Sequence, residues 1–108
     1  MNSRLLSLLG LARRAGRLTI GYDAAAGSLQ DGSSELVLLA LDLSPRTAES
    51  IGRAARACGT PVLRTAYTMD EVSAALGAKR CGVISVCDAG FAQKARMLIT
   101  TNREEKLL

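Results

Sequence analysis

The sequence predicts an α/β protein in which helices cover both faces of a four-stranded sheet, a three-layer α/β/α sandwich. Helical and extended patterns alternate along the chain and are joined by short connections, which is typical of this class. Two extended segments, 36–41 (LVLLAL) and 81–86 (CGVISV), are almost continuously apolar, as in strands covered on both faces. Two others, 18–20 (LTI) and 61–66 (PVLRTA), carry polar residues or proline, which favours the sheet edges. The apolar pair therefore forms the centre of the predicted sheet.

Five helices are predicted from apolar residues that recur every three or four positions and from residues that cap helix ends. Their ranges are about 2–15, 22–31, 45–58, 69–76 and 89–100. Ser44-Pro45 opens the third helix, and a capping box from Thr68 to Glu71 opens the fourth. The predicted inward-facing residues are Leu5, Leu8, Leu9, Ala12, Tyr22, Ala25, Ala26, Leu29, Ile51, Ala54, Ala55, Cys58, Val72, Ala75, Leu76, Phe91, Ala92, Ala95, Leu98 and Ile99.

The length and composition predict one domain with an aliphatic core. The chain has 108 residues, of which 48% are hydrophobic and only 3% are aromatic. We expect residues 1–100 to form the domain and residues 101–108 to form a polar C-terminal tail. No segment approaches the roughly 18 consecutive apolar residues that a membrane span needs, so we expect no membrane association.

The reactive residue types argue against an enzyme. The chain has no histidine, which excludes imidazole zinc sites and Ser-His or Cys-His nucleophiles. No glycine-rich phosphate loop follows a predicted strand. Cys58, Cys81 and Cys87 are odd in number and widely spaced, which favours packed thiols in a reducing cytoplasm. The sequence therefore predicts a cytoplasmic protein without catalysis, cofactor or metal.

The charges are distributed unevenly along the chain, whose net charge is +4. Residues 1–20 contain four arginines and no acid, whereas residues 21–50 contain five acids and one arginine. A one-sided basic surface of this kind usually meets nucleic acid, and the alternative is an ordinary solvated surface with a mild excess of arginine.

Residues 17–27 contain a short strand that breaks at Gly21 directly into a helix. A glycine at such a junction lets the backbone turn without the steric penalty of a Cβ atom. The free N–H groups at the start of the new helix then form a ready site for an anion. The sequence alone leaves open whether the junction is a binding site or only a turn.

Three segments together resemble a known family: 8–18 (LLGLARRAGRL) with Gly21, the strand 36–41 with Asp42, and 88–92 (DAGFA). They resemble the bacterial YlxQ-type branch of the ribosomal protein L7Ae/L30e superfamily. The resemblance implies an α/β/α fold with a mixed four-stranded sheet. It also implies RNA binding, to kink-turn motifs in the best-known members, without catalysis or cofactor. In those members the RNA surface comprises the junction after the first strand, helix two and the loop before the last strand.

Helix two departs from the pattern of that family. The family motif begins Gly-x-Asn-Glu, and this chain has Gly21, Tyr22, Asp23 and Ala24. A lysine and an arginine that follow in the family fall on Gly27 and Asp31. Because positions 23, 27 and 31 are four residues apart, we expect them to form one outward stripe along the helix.

These considerations lead to two main hypotheses, and an enzyme is the third, which no motif supports and which a bound metabolite in the purified protein would favour. In the first, the chain is a non-enzymatic, ribosome- or translation-associated RNA-binding protein that forms a ribonucleoprotein with structured RNA. Candidate RNA targets are kink-turn-like RNA and ribosomal RNA, and a ribosomal protein or translation factor is a further candidate partner. The expected RNA-binding residues are Arg14, Arg17, Gly21, Tyr22, Asp23, Lys79 and Arg80. Tyr22 would stack on a base if it is exposed, which is the alternative to the inward position that its periodicity favours. In the second, the fold is kept as a protein–protein interaction module, which the acidic stripe of helix two would suit.

Overall fold

The structure is a computed structural model that describes the backbone of residues 3–107 and the side chains of residues 3–100. Helices and strands alternate throughout this part of the chain. Their order is α1 (Arg4–Arg14), β1 (Leu18–Ile20), α2 (Tyr22–Gln30), β2 (Leu36–Leu39), α3 (Pro45–Ala57), β3 (Val62–Arg64), α4 (Met69–Leu76), β4 (Val83–Val86) and α5 (Ala89–Leu107). The predicted start of the first helix, at residue 2, lies outside the described residues.

The four strands form one mixed sheet in the order β1-β4-β2-β3. Strand β4 is antiparallel to both of its neighbours, whereas β2 and β3 are parallel. All residues of β2 and β4 are buried, and those of β1 and β3 are only partly buried. The prediction that the two apolar strands lie in the centre of the sheet is therefore confirmed.

Two hydrophobic cores lie on opposite faces of the sheet because side chains alternate along each strand. Leu36 and Leu38 point to one face, where α1, α4 and α5 pack. Val37 and Leu39 point to the other face, where α2 and α3 pack. The three-layer α/β/α arrangement is confirmed, and the fully buried side chains are aliphatic apart from a few small polar residues.

Several element ends differ from the predicted ones. β2 stops at Leu39, because Leu41 donates its N–H to the carbonyl of Tyr67 outside the sheet ladder. β4 begins at Val83 and not at Cys81. The backbone of α5 continues as helix to Leu107, past residue 100 where the tail was expected to begin. None of the helices in the described part of the chain is both long enough and apolar enough to span a membrane.

Three of the predicted inward-facing residues are exposed. Tyr22 begins α2 and is 37% exposed, and its phenol oxygen is hydrogen-bonded to the Ser50 hydroxyl on α3. On α4, Ser73 and not Ala75 faces the core, so Ser73 is buried and Ala75 is exposed. The prediction for Cys58 is also wrong, because Cys58 caps the end of α3 instead of facing the core. The thiols of Cys81 and Cys87 are partly buried.

Candidate nucleic-acid interface

The end of the sheet at Gly21, Ala40 and Gly82, called the junction end below, collects the starts of three helices. Since β1 and β4 are antiparallel, the end of β1 lies beside the start of β4, and the Gly21 N–H donates to the Val83 carbonyl at 2.8 Å. The Ala40 N–H donates to the Gly82 carbonyl at 2.9 Å, which adds the end of β2. Helices α2 and α3 begin just after these strands, and the first N–H of α4 donates to Asp42 Oδ1 at 2.8 Å.

Gly21 links β1 to α2 in a conformation that suits only glycine. Its φ of 101° and ψ of 160° lie in a region that residues with a Cβ atom rarely adopt. A Cβ atom placed there would meet no other atom within 4 Å, so the conformation and not the space requires glycine. Because Gly21 has no side chain, the first turn of α2 has no side-chain cap. The N-terminus of α2 is therefore open to an anion.

Tyr22 and Asp23 are exposed beside this helix start. The hydrogen bond to Ser50 directs the Tyr22 ring towards α3 and leaves part of the ring accessible. Asp23 lies in the first turn of α2, where a carboxylate interacts favourably with the helix dipole. The junction therefore combines open backbone donors, an accessible aromatic ring and one negative charge.

The loop before β4, residues 77–82, brings Arg80 to the junction end by folding back along α4. The Cys81 N–H donates to Ser73 Oγ at 3.0 Å, and Arg80 Nε donates to Asp70 Oδ1 at 2.9 Å. Arg80 Nη2 also lies 3.9 Å from Asp42 Oδ2. All three charged side chains are exposed, and such surface pairs contribute only about 0–1 kcal/mol. Arg80 is thus held in place by contacts that a phosphate could replace at little cost.

Gly82 sets how closely this loop approaches the helices. A Cβ atom at Gly82 would lie 2.6 Å from Leu43 Cδ1 and 3.0 Å from Met69 Sδ, so close packing requires glycine there. Lys79 is exposed in the same loop. The structure therefore brings Gly21, Tyr22, Asp23, Lys79 and Arg80 to the junction end or to the loop that leads to it.

Arg14 and Arg17 lie at the opposite end of the sheet, called the far end below. The Cys87 N–H donates to the Arg17 carbonyl at 2.8 Å, which places Arg17 beside the end of β4. The three residues of β1 separate Arg17 from Gly21, and the four steps between them span about 13 Å at roughly 3.3 Å per residue. Both arginines are exposed. The predicted RNA-binding residues therefore form two separate groups.

The expected stripe on α2 faces outward, since Asp23, Gly27 and Asp31 are all exposed. The Ser33 hydroxyl and N–H donate to Asp31 Oδ1 at 2.6 and 2.9 Å. These two hydrogen bonds, the hydroxyl one foremost, lower the pKa of Asp31 below its ordinary value. The stripe therefore carries a negative charge at Asp31, where the family pattern has an arginine, and no charge at Gly27, where it has a lysine.

Sequence reasoning missed two residues at the junction end. Asp42 contacts both the start of α4 and Arg80. Leu41 is 52% exposed beside it. The sequence signal for Asp42 was an acidic residue directly after a buried strand. A residue in that position lies close to the loops that follow or precede the neighbouring strands. In the part of the chain that the structure describes, no group of three acids or cysteines is placed to hold a metal ion.

Comparisons with known proteins agree on the family. The model of the ribosomal protein L7Ae/L30e/S12e/Gadd45 family matches residues 3–96. The RNA-binding protein YlxQ of Enterococcus faecium is 27% identical over 96 residues, which are 89% of this chain and 91% of that protein.

Solved structures share the fold. A Bacillus halodurans protein of unknown function is 32% identical, with a TM-score of 0.85 over 92% of this chain and 99% of that one. The Giardia lamblia 15.5kD RNA binding protein has a TM-score of 0.70 at 19% identity, over 92% of this chain and 93% of that one. With the family model matching most of its length, the chain belongs to the ribosomal protein L7Ae/L30e/S12e/Gadd45 family, and within it is similar to the bacterial YlxQ protein.

Proposed function

We propose that this protein is a non-enzymatic, cytoplasmic RNA-binding protein that acts with the ribosome or the translation apparatus. We place its RNA site at the junction end. The observation that carries this proposal is that the open N-terminus of α2 and Arg80 lie at the same end of the sheet. The membership in the L7Ae family and the similarity to a protein named as RNA-binding support the choice of ligand.

The junction end offers three kinds of contact to RNA. The N–H groups at the start of α2 can donate to a phosphate. Arg80 can exchange its exposed partners Asp70 and Asp42 for a second phosphate, and Lys79 adds a further cation nearby. The accessible part of the Tyr22 ring can stack on an unpaired base, a contact worth roughly 1–3 kcal/mol. Structured RNA with an unpaired base near a bend in its backbone fits this combination.

Kink-turn RNA is such a structure, and we propose that it binds here more weakly than to relatives with the full motif. The reason is the stripe on α2, because Asp23 and Asp31 repel phosphates and Gly27 contributes no side chain. Asp23 also lacks the amide donor that asparagine offers to a base edge. Binding would then depend on the junction and on the loop before β4.

The test is a binding titration with a kink-turn RNA and with structured ribosomal RNA fragments at two salt concentrations. Two double variants are compared, Lys79→Ala with Arg80→Ala and Arg14→Ala with Arg17→Ala. Each lost phosphate contact should flatten the log–log salt dependence by about 0.7–0.9. We expect Lys79→Ala with Arg80→Ala to flatten the salt dependence of binding for every RNA that binds. Arg14→Ala with Arg17→Ala should flatten it only for RNA long enough to reach both ends of the sheet, which are roughly 13 Å apart along β1.

Two outcomes would contradict the proposal. One is the absence of binding to any structured RNA at low salt. The other is binding that neither double variant changes while both variants remain folded. Sequencing of RNA crosslinked to the protein in cells would then identify the natural target among the RNAs that do bind.

A second function is favoured by the charged stripe of α2. Asp23 and Asp31 are exposed, and the hydrogen bonds from Ser33 lower the pKa of Asp31 below its ordinary value. Such a surface suits a basic protein better than RNA. A stable protein partner that is recovered after nuclease treatment, and lost on Asp23→Asn with Asp31→Asn, would support this interaction module.

A further inference from the structure

A groove runs between α1 and α5, in the helix layer on the face of the sheet opposite α2. It encloses about 640 Å³ and is lined by Ser3, Arg4, Ser7, Leu8, Leu11, Lys94 and Leu98. The lining positions recur every three or four residues on each helix, so the groove follows one continuous face of both. None of the expected RNA-binding residues lines it.

The two helices that form the groove are antiparallel. Helix α1 ends just before Arg17 and α5 begins just after Cys87, and these two residues lie together at the far end. Two packed helices leave between them a furrow into which the side-chain ridge of a third helix fits. The shape of the groove therefore suits a helical occupant.

The groove has an apolar floor that is open to solvent. Leu11 is 51% exposed, and Leu98 is only partly buried. Large apolar side chains grouped in this way on a surface mark interaction sites more often than isolated ones do. An apolar ridge on a partner would bury them.

The charged side chains that line the groove, among the residues whose side chains are described, are both cations. Arg4 and Lys94 are exposed in its lining, and neither takes part in the ion pairs found among the described residues. The sequence has no acid in residues 1–22 or in residues 89–103, which contain α1 and most of α5. Within the described side chains, the lining of the groove therefore presents two cations and no carboxylate.

We propose that the groove between α1 and α5 binds an acidic amphipathic helix of a partner protein. Its leucines would lie over Leu8, Leu11 and Leu98, and its carboxylates would meet Arg4 and Lys94. This is the helix-in-groove mode of recognition, in which apolar anchors supply affinity and flanking charges select the partner. RNA fits the lining less well, because no aromatic side chain is present there to stack on a base.

The test uses the full chain labelled with ¹⁵N and two synthetic peptides of about 18 residues. Both carry leucine at helical spacing, and one has glutamate on the flanks where the other has lysine. We expect the glutamate peptide to shift the amide signals of residues 3–11 and 94–98. We expect the lysine peptide to bind at least about tenfold more weakly.

Charge reversal supplies the control. Lys94→Glu should weaken binding of the glutamate peptide at least about tenfold and strengthen binding of the lysine peptide. The reason is that the variant places a negative charge where the parent has a positive one. Arg53→Glu, at an exposed cation on α3 outside the groove, should change neither titration. Unchanged signals away from residue 94 would show that the Lys94→Glu variant keeps its fold.

Four results would overturn the proposal. The first is that neither peptide shifts these amides at about 1 mM. The second is that Arg53→Glu has the same effect as Lys94→Glu. The third is that structured RNA shifts the groove amides, which would make the groove a nucleic-acid surface. The fourth is self-association of the chain through the groove, which would make a second copy the occupant.

Discussion

At the scale of single residues, a row of small polar side chains crosses one of the two cores. Ser85 lies in β4 and is fully buried, and its hydroxyl is hydrogen-bonded to Ser28 Oγ at 2.8 Å and to Ser34 Oγ at 2.7 Å. Thr19 lies opposite Ser85 on β1. Its buried hydroxyl has no hydrogen-bond partner among the residues that the structure describes. Because a buried polar group without a partner costs free energy, this position is a weak point of the core.

We predict that Thr19→Val raises the free energy of unfolding by about 1 kcal/mol, since valine keeps the shape and removes the unpaired hydroxyl. Urea denaturation measures the change. Ser85→Ala is the matched comparison and should lower the free energy of unfolding by about 1–3 kcal/mol, because it leaves Ser28 and Ser34 without their shared partner. A valine variant less stable than the parent would show that Thr19 has a partner, such as a buried water.

At the scale of elements, the ends of the helices are held by specific side chains. The Arg13 guanidinium donates to the carbonyl of Leu76, the last residue of α4. Arg13 and Arg14 both belong to the last turn of α1. Only Arg13 makes a hydrogen bond found among the described residues. One arginine therefore connects two helices while its neighbour remains exposed.

We predict that Arg13→Ala lowers the free energy of unfolding by about 1–2 kcal/mol, because a charged donor to a helix end is lost. Arg14→Ala is the control and should change it by less than about 0.5 kcal/mol. Thermal and urea unfolding of the two variants give the comparison. Equal losses for both would mean that the hydrogen bond contributes nothing and that only the overall charge matters.

The outward stripe of α2 allows a gain of function to be predicted. The combined variant Asp23→Asn, Ala24→Glu, Gly27→Lys and Asp31→Arg restores the family pattern on an exposed face, and replacing Gly27 strengthens the helix by up to about 1 kcal/mol. We expect kink-turn RNA to bind at least about tenfold more tightly, with a steeper salt dependence. Titration of the folded variant against the parent is the measurement. No gain in affinity would mean that α2 is not the RNA-facing helix in this chain.

At the scale of the whole molecule, the described core and the family match both reach to near residue 100. The last buried residue among the described side chains is Ile99, and the family model stops at residue 96. Helix α5 nevertheless continues to Leu107 in the backbone. The domain boundary near residue 100 stays a prediction, and it rests on packing and not on secondary structure.

We predict that a chain ending at residue 100 keeps its free energy of unfolding within about 1 kcal/mol of the full chain, because no described core residue is removed. A chain ending at residue 96 should lose about 2–5 kcal/mol, since Leu98 and Ile99 leave the core. Urea denaturation of the two truncated chains distinguishes the two cases. A large loss on the first truncation would extend the domain to the end of α5.

The order of the elements was predictable from the sequence, and so was their layering. The spacing of apolar residues indicates which face of a helix or strand is buried, and it does so independently of which element packs against that face. This is why residues 36–41 and 81–86 were placed in the centre of the sheet and why Gly21 was recognised as a turn. Tyr22 and Cys58 were placed wrongly because they lie at helix ends, where the helical period no longer decides which way a side chain points.

Only the tertiary structure decided which predicted site residues lie together. Arg17 and Gly21 are close in sequence, but β1 carries them to opposite ends of the sheet. Arg80 is distant in sequence from both, and the antiparallel pairing of β1 with β4 brings its loop to the junction end. The groove between α1 and α5 depends in the same way on two helices from opposite ends of the chain. Periodicity reports burial within one element, whereas a binding surface depends on strand pairing and helix packing between distant segments.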